Sequence, residues 1–187
     1  MSLNDYIQKI VTLQKSKNYK EAYELLKEAF GYYPTSQFLQ CTEVFLLFRL
    51  GQVKEARRIA EQRFSTLKTN HFFIRTYIDC LVKDNAREDA LRIIDSVLTW
   101  GVRDERFYIT LSDTIHRIAG TDKAVAFLQT VLHYMPESHG IREQITRLNN
   151  QSTANKTINY YRERFKGMPI EGVIEEIENL LVLPDFS

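Results

Sequence analysis

The sequence predicts an all-α protein, and three observations support this fold class. The chain of 187 residues has only four prolines, and none of them falls within residues 35–135. Apolar residues recur at i, i+3, i+4 and i+7, which is the spacing of one face of a helix. No segment alternates apolar and polar residues over the length of a strand. Short polar or glycine-containing breaks divide the chain into helices of about 13 to 16 residues, or three to four turns each.

Composition and charge exclude several classes of protein. Hydrophobic residues make up 44% of the chain and charged residues 26%, a mixture typical of folded globular proteins. The 25 Lys and Arg residues balance 24 Asp and Glu residues, so the net charge of +1 argues against a surface built for nucleic acid or anionic membrane. No stretch approaches the ~20 apolar residues of a membrane span, and the N-terminus lacks the apolar core of a signal peptide. Two cysteines are too few for a disulfide framework. We therefore expect a cytoplasmic protein that does not bind membranes.

A 34-residue repeat runs through the first two thirds of the chain. Alanine stands near the start of the second helix of each predicted pair, at one constant interval: Ala22, Ala56, Ala90 and Ala124. Nine residues before each alanine stands a large aliphatic residue: Leu13, Leu47, Leu81 and Ile115. A small residue lets the two helices of a pair approach closely, while the larger residues fill the seam beside it. Because a single pair cannot bury this seam, we expect successive pairs to stack on one another.

This pattern resembles the tetratricopeptide repeat, a helix–turn–helix unit of the same period with an early alanine in its second helix and a proline at its end. That proline is present here as Pro34 and Pro136. The resemblance implies a right-handed α-solenoid with four repeats, at residues 1–34, 35–68, 69–102 and 103–136. It also implies a surface that holds a peptide or a helix.

The array departs from the family pattern at several positions. The family's aromatic residue in the first helix is kept as Tyr6 and Tyr108, but Gln40 and Ile74 stand at the equivalent places between them. Arg63 stands where the first copy has alanine. The family's glycine before the turn is kept in register only as Gly51, and Gly120 is displaced by one place. These differences indicate a divergent array.

The rest of the chain is predicted to be helical as well. Residues 137–169 are predicted to form a degenerate fifth hairpin, whose second helix turns Ile158, Tyr161 and Phe165 inward. Residues 170–187 are predicted to form a capping helix and a tail, with glutamates opposite the apolar face. The apolar ending leaves a further hypothesis open, in which the chain is a recruiting or regulatory domain of a larger protein cut off after Ser187.

The sequence contains no catalytic or metal-binding motif. None of the four histidines pairs with another at i, i+4, and no zinc-protease, nucleophile-elbow or P-loop pattern occurs. Asp79 and Asp113 lie one repeat apart, and we interpret both as solvated groove residues. The sequence therefore predicts a protein that is not an enzyme and has no cofactor and no metal site.

The first helix of each pair carries a second face, which is not needed for packing within the pair. In proteins that resemble this repeat, this face lines a concave groove that holds a peptide. Beside it runs a column that is basic in all four copies: Lys15, Arg49, Lys83 and Arg117. We predict that the peptide-binding groove is formed by Phe38, Cys41, Phe45, Phe48, Arg49, Phe72, Arg75, Asp79, Lys83, Arg106 and Arg117.

The predicted groove favours a protein or peptide partner with apolar and acidic residues. Phenylalanines on a solvent-facing surface are unfavourable unless something covers them, and aromatic residues beside arginines are typical of interface hot spots. The alternative is that these phenylalanines pack between repeats as core. The carboxylate clamp of one family subclass is absent, because Ile7 and Val11 stand at its Lys and Asn places.

Two further hypotheses concern other partners. Single-stranded RNA binding would use the basic column, with phenylalanines stacking on bases, but the neutral net charge argues against it. Self-association would use the C-terminal helix, whose glutamates complement a basic groove.

Overall fold

The protein is a linear stack of helices. The computed structural model describes residues 1–181, with the side chains described up to residue 175. Within that range it contains ten α-helices and no strand. A 3₁₀ turn, Leu98–Trp100, continues α6. The helices in chain order are α1 (Leu3–Lys15), α2 (Tyr19–Tyr32), α3 (Gln37–Arg49), α4 (Val53–Leu67), α5 (His71–Lys83), α6 (Arg87–Val97), α7 (Glu105–Ala119), α8 (Thr121–Tyr134), α9 (His139–Arg164) and α10 (Ile170–Leu181).

A polar residue caps the start of each odd-numbered helix, and these caps recur at the same interval as the alanines. Each cap side chain accepts a hydrogen bond from the backbone amide three residues later, which satisfies one of the free donors at the helix start. The caps are Ser2, Ser36, Asn70, Asp104 and Ser138. The period of the repeat therefore extends into the start of α9.

The turn within each of the first three pairs places one residue in the left-handed region. These residues are Lys17 and Asn85, both with φ of 60°, and Gly51 with φ of 81°. The amide that follows each of them donates to a carbonyl five residues earlier, as Gln52 does to Leu47 at 2.9 Å, which is a common way to end a helix. The turn between α7 and α8 is different, because α7 extends through Ala119 and Gly120 joins it directly to α8.

The pairs stack through both of their helices. Each even-numbered helix packs on the odd-numbered helix that follows it, and α3, α5, α7 and α9 also pack on one another in sequence. The four alanines at the helix crossings are fully buried, as close helix packing requires. Among the described residues, no helix is long and apolar enough to cross a membrane.

Arg63 replaces alanine in the second pair without leaving its charge unpaired. Its guanidinium lies 2.6 Å from a carboxylate oxygen of Glu43 and donates to the backbone carbonyl of Gln40 at 2.9 Å. It also lies over the ring of Phe30 at 5.7 Å. These contacts satisfy a half-buried charge, so this departure from the repeat pattern has a local structural reason.

The predicted fifth hairpin is wrong, because α9 continues as one helix of 26 residues. Residues 151–156 contain neither glycine nor proline, so nothing in them ends a helix. The hydroxyls of Thr153 and Thr157 donate to carbonyls four residues earlier and remain within the helix. As a consequence, Ile158 and Tyr161 are exposed instead of turned inward.

The first half of α9 closes the described part of the stack. Ile141, Gln144 and Leu148 are buried where α9 packs on α7 and α8. At the start of α10, by contrast, Ile170 and Ile174 are 74% and 52% exposed, so these two residues do not pack on the array as the predicted capping helix requires. The predicted tail at 182–187 lies outside the described residues.

We predict that the left-handed turn residue controls stability by backbone strain alone. A Cβ added at Gly51 meets no atom within 4 Å, so Gly51→Ala should lower the free energy of unfolding by about 1 kcal/mol through the left-handed conformation only. Lys17→Gly should raise it by a smaller amount, since it relieves the same strain. Guanidinium unfolding followed by circular dichroism measures both changes. The control is Gly31→Ala within α2, which should stabilise by about 0.5–1 kcal/mol; equal effects at both glycines would contradict the prediction.

Candidate functional site

One pocket gathers more than half of the predicted groove residues. It has a volume of about 220 Å³ and lies between α3 and α5, two helices that pack directly on each other. We call it the α3–α5 pocket. Its lining consists of Phe45, Phe48, Arg49, Phe72, Arg75, Thr76 and Asp79.

The apolar wall of the α3–α5 pocket is partly core and partly open surface. Phe45 packs against the core of the first pair, and Phe48 packs against the larger core that follows it. The rings of Phe45 and Phe72 lie 5.3 Å apart between centres, and Phe72 is 46% exposed. Packing therefore holds two of the phenylalanines in place, and nearly half of the third is exposed to solvent.

Arg49 is held over this aromatic wall. Its guanidinium lies 4.6 Å from the ring centre of Tyr19 and 5.7 Å from that of Phe45, distances at which a cation is attracted to a ring face. Tyr19 in turn meets Phe45 edge to face at 6.3 Å. Arg49 is exposed, so the rings orient its guanidinium while leaving it accessible.

Asp79 gives the α3–α5 pocket an acidic group beside its arginines. Burial raises the pKa of the Asp79 carboxyl, and the positive charges of Arg75 and Arg117 oppose this rise. One oxygen of Asp79 lies 4.0 Å from the guanidinium of Arg117. Arg117 of the basic column, on α7, therefore contacts the α3–α5 pocket at Asp79. The partial burial of the Asp79 carboxyl indicates that water has restricted access to it.

The other predicted groove residues lie outside the α3–α5 pocket. Phe38 is half-buried against the core of the first pair. Arg106 is exposed on α7. Lys83 is exposed at the end of α5, where it lines a separate depression beside the turn at Gly51 and Asp84.

Cys41 does not line a groove, contrary to the sequence prediction. It is only 3% exposed and belongs to the core. Burial raises the pKa of the Cys41 thiol to about 11, against the opposing charge of Arg63. The spacing i, i+3, i+7 marks one side of a helix, but Cys41 lies at the edge of that side, where α3 already meets its neighbours.

Two residues of the site were not predicted from the sequence. Thr76 lines the α3–α5 pocket, and its hydroxyl donates to the backbone carbonyl of Phe72 at 2.9 Å. Tyr19 comes from a second helix, so the search along the first helices missed it. No sequence signal separates Tyr19 from other aromatic residues at helix starts, since its role depends on the approach of α2 to α3.

The structure brings no catalytic or metal-binding cluster together in its described part. Residues 1–175 contain no group of three or more His, Cys, Asp or Glu side chains arranged to hold a metal ion. The Asp113 carboxylate contacts two residues of α9. It accepts hydrogen bonds from the guanidinium of Arg147 at 2.7 Å and from the side-chain amide of Gln144 at 2.8 Å. Both contacts fix the first half of α9 to α7, which gives Asp113 a structural role.

Comparisons with known proteins agree with this architecture. No family model and no curated protein matches the chain. Among solved structures, a tetratricopeptide repeat protein from Parabacteroides merdae ATCC 43184 is similar with a TM-score of 0.58 and 16% identity, over 88% of this chain and 67% of its own. A thermophilic protein of the same kind from Thermus thermophilus has a TM-score of 0.58 and 15% identity, over 97% of this chain and 100% of its own. MamA from Desulfovibrio magneticus RS-1, from residue 41 onward, has a TM-score of 0.56 and 16% identity, over 86% of this chain and 91% of its own.

The protein is therefore an all-α solenoid of stacked helix pairs. More particularly, it has the fold of a tetratricopeptide repeat array in a divergent form.

We predict that both thiols are unreactive in the folded protein. Burial raises the pKa of Cys41 to about 11 and that of Cys80 to about 12, so little thiolate forms at about pH 8. Alkylation of the folded chain, followed by mass spectrometry, should leave both residues unmodified, while alkylation in guanidinium should modify both. Rapid modification of Cys41 alone in the folded protein would contradict this prediction and would support the sequence-based assignment of Cys41 to the groove.

Proposed function

We propose that this chain is a non-enzymatic scaffold or adaptor of the cytoplasm. It binds a peptide or a helix along the surface formed by the first helix of each pair. The observation that carries the proposal is the α3–α5 pocket, whose lining includes one exposed aromatic ring, Phe72, and two exposed arginines, Arg49 and Arg75. The free, buried cysteines are in keeping with a reducing compartment.

The size of the α3–α5 pocket favours an anchoring side chain of a larger ligand. Its volume of about 220 Å³ is below the ~300 Å³ at which small-molecule sites begin. An apolar side chain of the partner would pack on Phe72 and Phe45. The rest of the peptide would extend along the exposed surface, toward Arg106 on the next pair.

The charges of the α3–α5 pocket favour acidic groups beside that anchor. Arg49 and Arg75 are exposed at its edge, and within the described residues neither forms a salt bridge with a carboxylate. A carboxylate of the partner would form charge-assisted hydrogen bonds with them, which are stronger than neutral ones. Asp79 disfavours a second carboxylate at the α7 side, so the proposed ligand has its acidic group near Arg49 and Arg75 only.

We predict that the double variant Phe72→Ala/Arg75→Glu loses partner binding while the fold is kept. Both side chains are exposed, so neither change opens the core. The parent chain is used to capture partners from cells that contain the protein, and the affinity of the captured partner is then measured by calorimetry. The expected loss is about 30-fold, as for the removal of a hot-spot residue worth about 2 kcal/mol.

The matched control is Tyr134→Ala/Lys54→Glu, which makes the same kinds of change at exposed positions of α8 and α4. It should bind as the parent does. Equal loss in both variants, or no loss in either, would contradict the groove proposal. If nuclease abolishes capture of the partner, and capture also falls steeply with added salt, RNA binding would replace the groove proposal.

A further inference from the structure

The second half of α9 extends beyond the closed end of the stack as an exposed helix. From residue 151 to its end at Arg164 nearly all of its side chains are exposed, and this segment is about 21 Å long at 1.5 Å per residue. We call residues 151–166 the arm. On one side of the arm, Ile158, Tyr161 and Phe165 follow one another at i, i+3 and i+7, and the last two rings stack at 5.8 Å.

The arm is also basic. It contains Lys156, Arg162, Arg164 and Lys166 against the single acid Glu163, so four positive charges less one negative charge give +3. An amphipathic helix of this kind, with an apolar stripe and flanking cations, is suited to an acidic groove with an apolar floor.

Such a groove lies at the opposite end of the stack. It has a volume of about 670 Å³ between α1 and α2, and we call it the end groove. Its lining consists of Gln8, Lys9, Thr12, Leu13, Glu21, Glu24, Leu25 and Glu28. Three glutamates against one lysine give this lining a net charge of −2.

The end groove is a stacking surface that no helix covers within the described residues. The residues one repeat after Gln8 and Thr12 are Thr42 and Leu46, which are buried because α2 packs on α3. Gln8 and Thr12 themselves are exposed. The surface by which an inner pair receives its neighbour is therefore open at this end, and α1 and α2, of 13 and 14 residues, match the arm in length.

We infer that the arm of one molecule docks in the end groove of a second copy, joining solenoids head to tail. Tyr161 and Phe165 would lie over Leu13 and Leu25, and the flanking cations would face the glutamates of α2. The arm cannot reach its own end groove, because the helix pairs of the stack separate α9 from α1. Such a contact joins two different surfaces, so it continues from copy to copy. This inference is independent of the function proposed for the α3–α5 pocket.

Charge reversal at either surface tests the contact. Sedimentation velocity of the full chain over a range of concentrations should show association that weakens with added salt. Arm variant Arg162→Glu/Lys166→Glu and groove variant Glu21→Lys/Glu24→Lys should each raise the concentration at half-association by about tenfold or more. Mixing the two variants should restore association, because each then meets a surface of opposite charge. The apolar variant Ile158→Ser/Tyr161→Ser should also weaken association when it is measured alone.

Matched controls separate this contact from association through another surface. Lys54→Glu/Lys123→Glu makes an equal change of charge at exposed positions outside both surfaces and should associate as the parent does. Phe72→Ala/Arg75→Glu should also associate normally, so failure of the peptide proposal leaves this result unaffected. A parent that stays monomeric at every concentration overturns the inference. So does association that survives each charge reversal made alone, or that is lost only on Glu171→Lys/Glu175→Lys, which would assign it to α10.

Discussion

Every helix pair in this protein depends on its neighbours, because no pair can bury its own apolar seam. The fully buried alanines at positions 22, 56, 90 and 124 let the two helices of each pair approach closely, but the seam beside them is closed only by the next pair. Stability therefore comes from contacts between adjacent pairs, and each inner pair has two such contacts while each end has one. The surfaces proposed for binding follow from this arrangement: the inner contacts support the α3–α5 pocket, and no described helix covers the end groove of α1 and α2.

In the α3–α5 pocket, side chains that pack against the core also form the surface proposed for recognition. Phe45 and Phe48 are half-buried against the core clusters, so the core interpretation holds for part of their surface, while the groove interpretation stays a prediction for the exposed remainder. Phe72 is the ring with the most open surface, at 46% exposed. A partner that contacts Phe72 thus rests on a wall whose geometry is already fixed, and little conformational entropy of the site is lost on binding.

The period of the array was predictable because residue size and backbone geometry both follow it. Close helix packing requires a small residue at the helix crossings, and alanine recurs there at the interval of the repeat. The left-handed turn recurs at the same interval in the first three pairs, although Lys17, Gly51 and Asn85 are different residue types. The end of α9 was not predictable in the same way. Apolar residues have the same spacing in the second helix of a hairpin and in a continuous long helix, and only a residue that ends a helix distinguishes the two; residues 151–156 contain none. The prediction for Cys41 failed for a related reason. The spacing predicts which residues share one side of α3, but it does not predict which residues at the margin of that side are buried by neighbouring helices.

A pocket that spans two pairs also connects binding to the stability of the stack. Its lining comes from α3 and α5, whose packing on each other is one of the direct contacts between the second and third pairs. A ligand that touches both helices binds only when this contact is formed, so it stabilises the array by the free energy of its binding. In a solenoid, where each pair contacts only its neighbours, that stabilisation acts first on the local opening between the second and third pairs and reaches the ends only through the intervening contacts. If both proposals hold, the α3–α5 pocket and the end groove would therefore act as separate binding surfaces on one continuous stack.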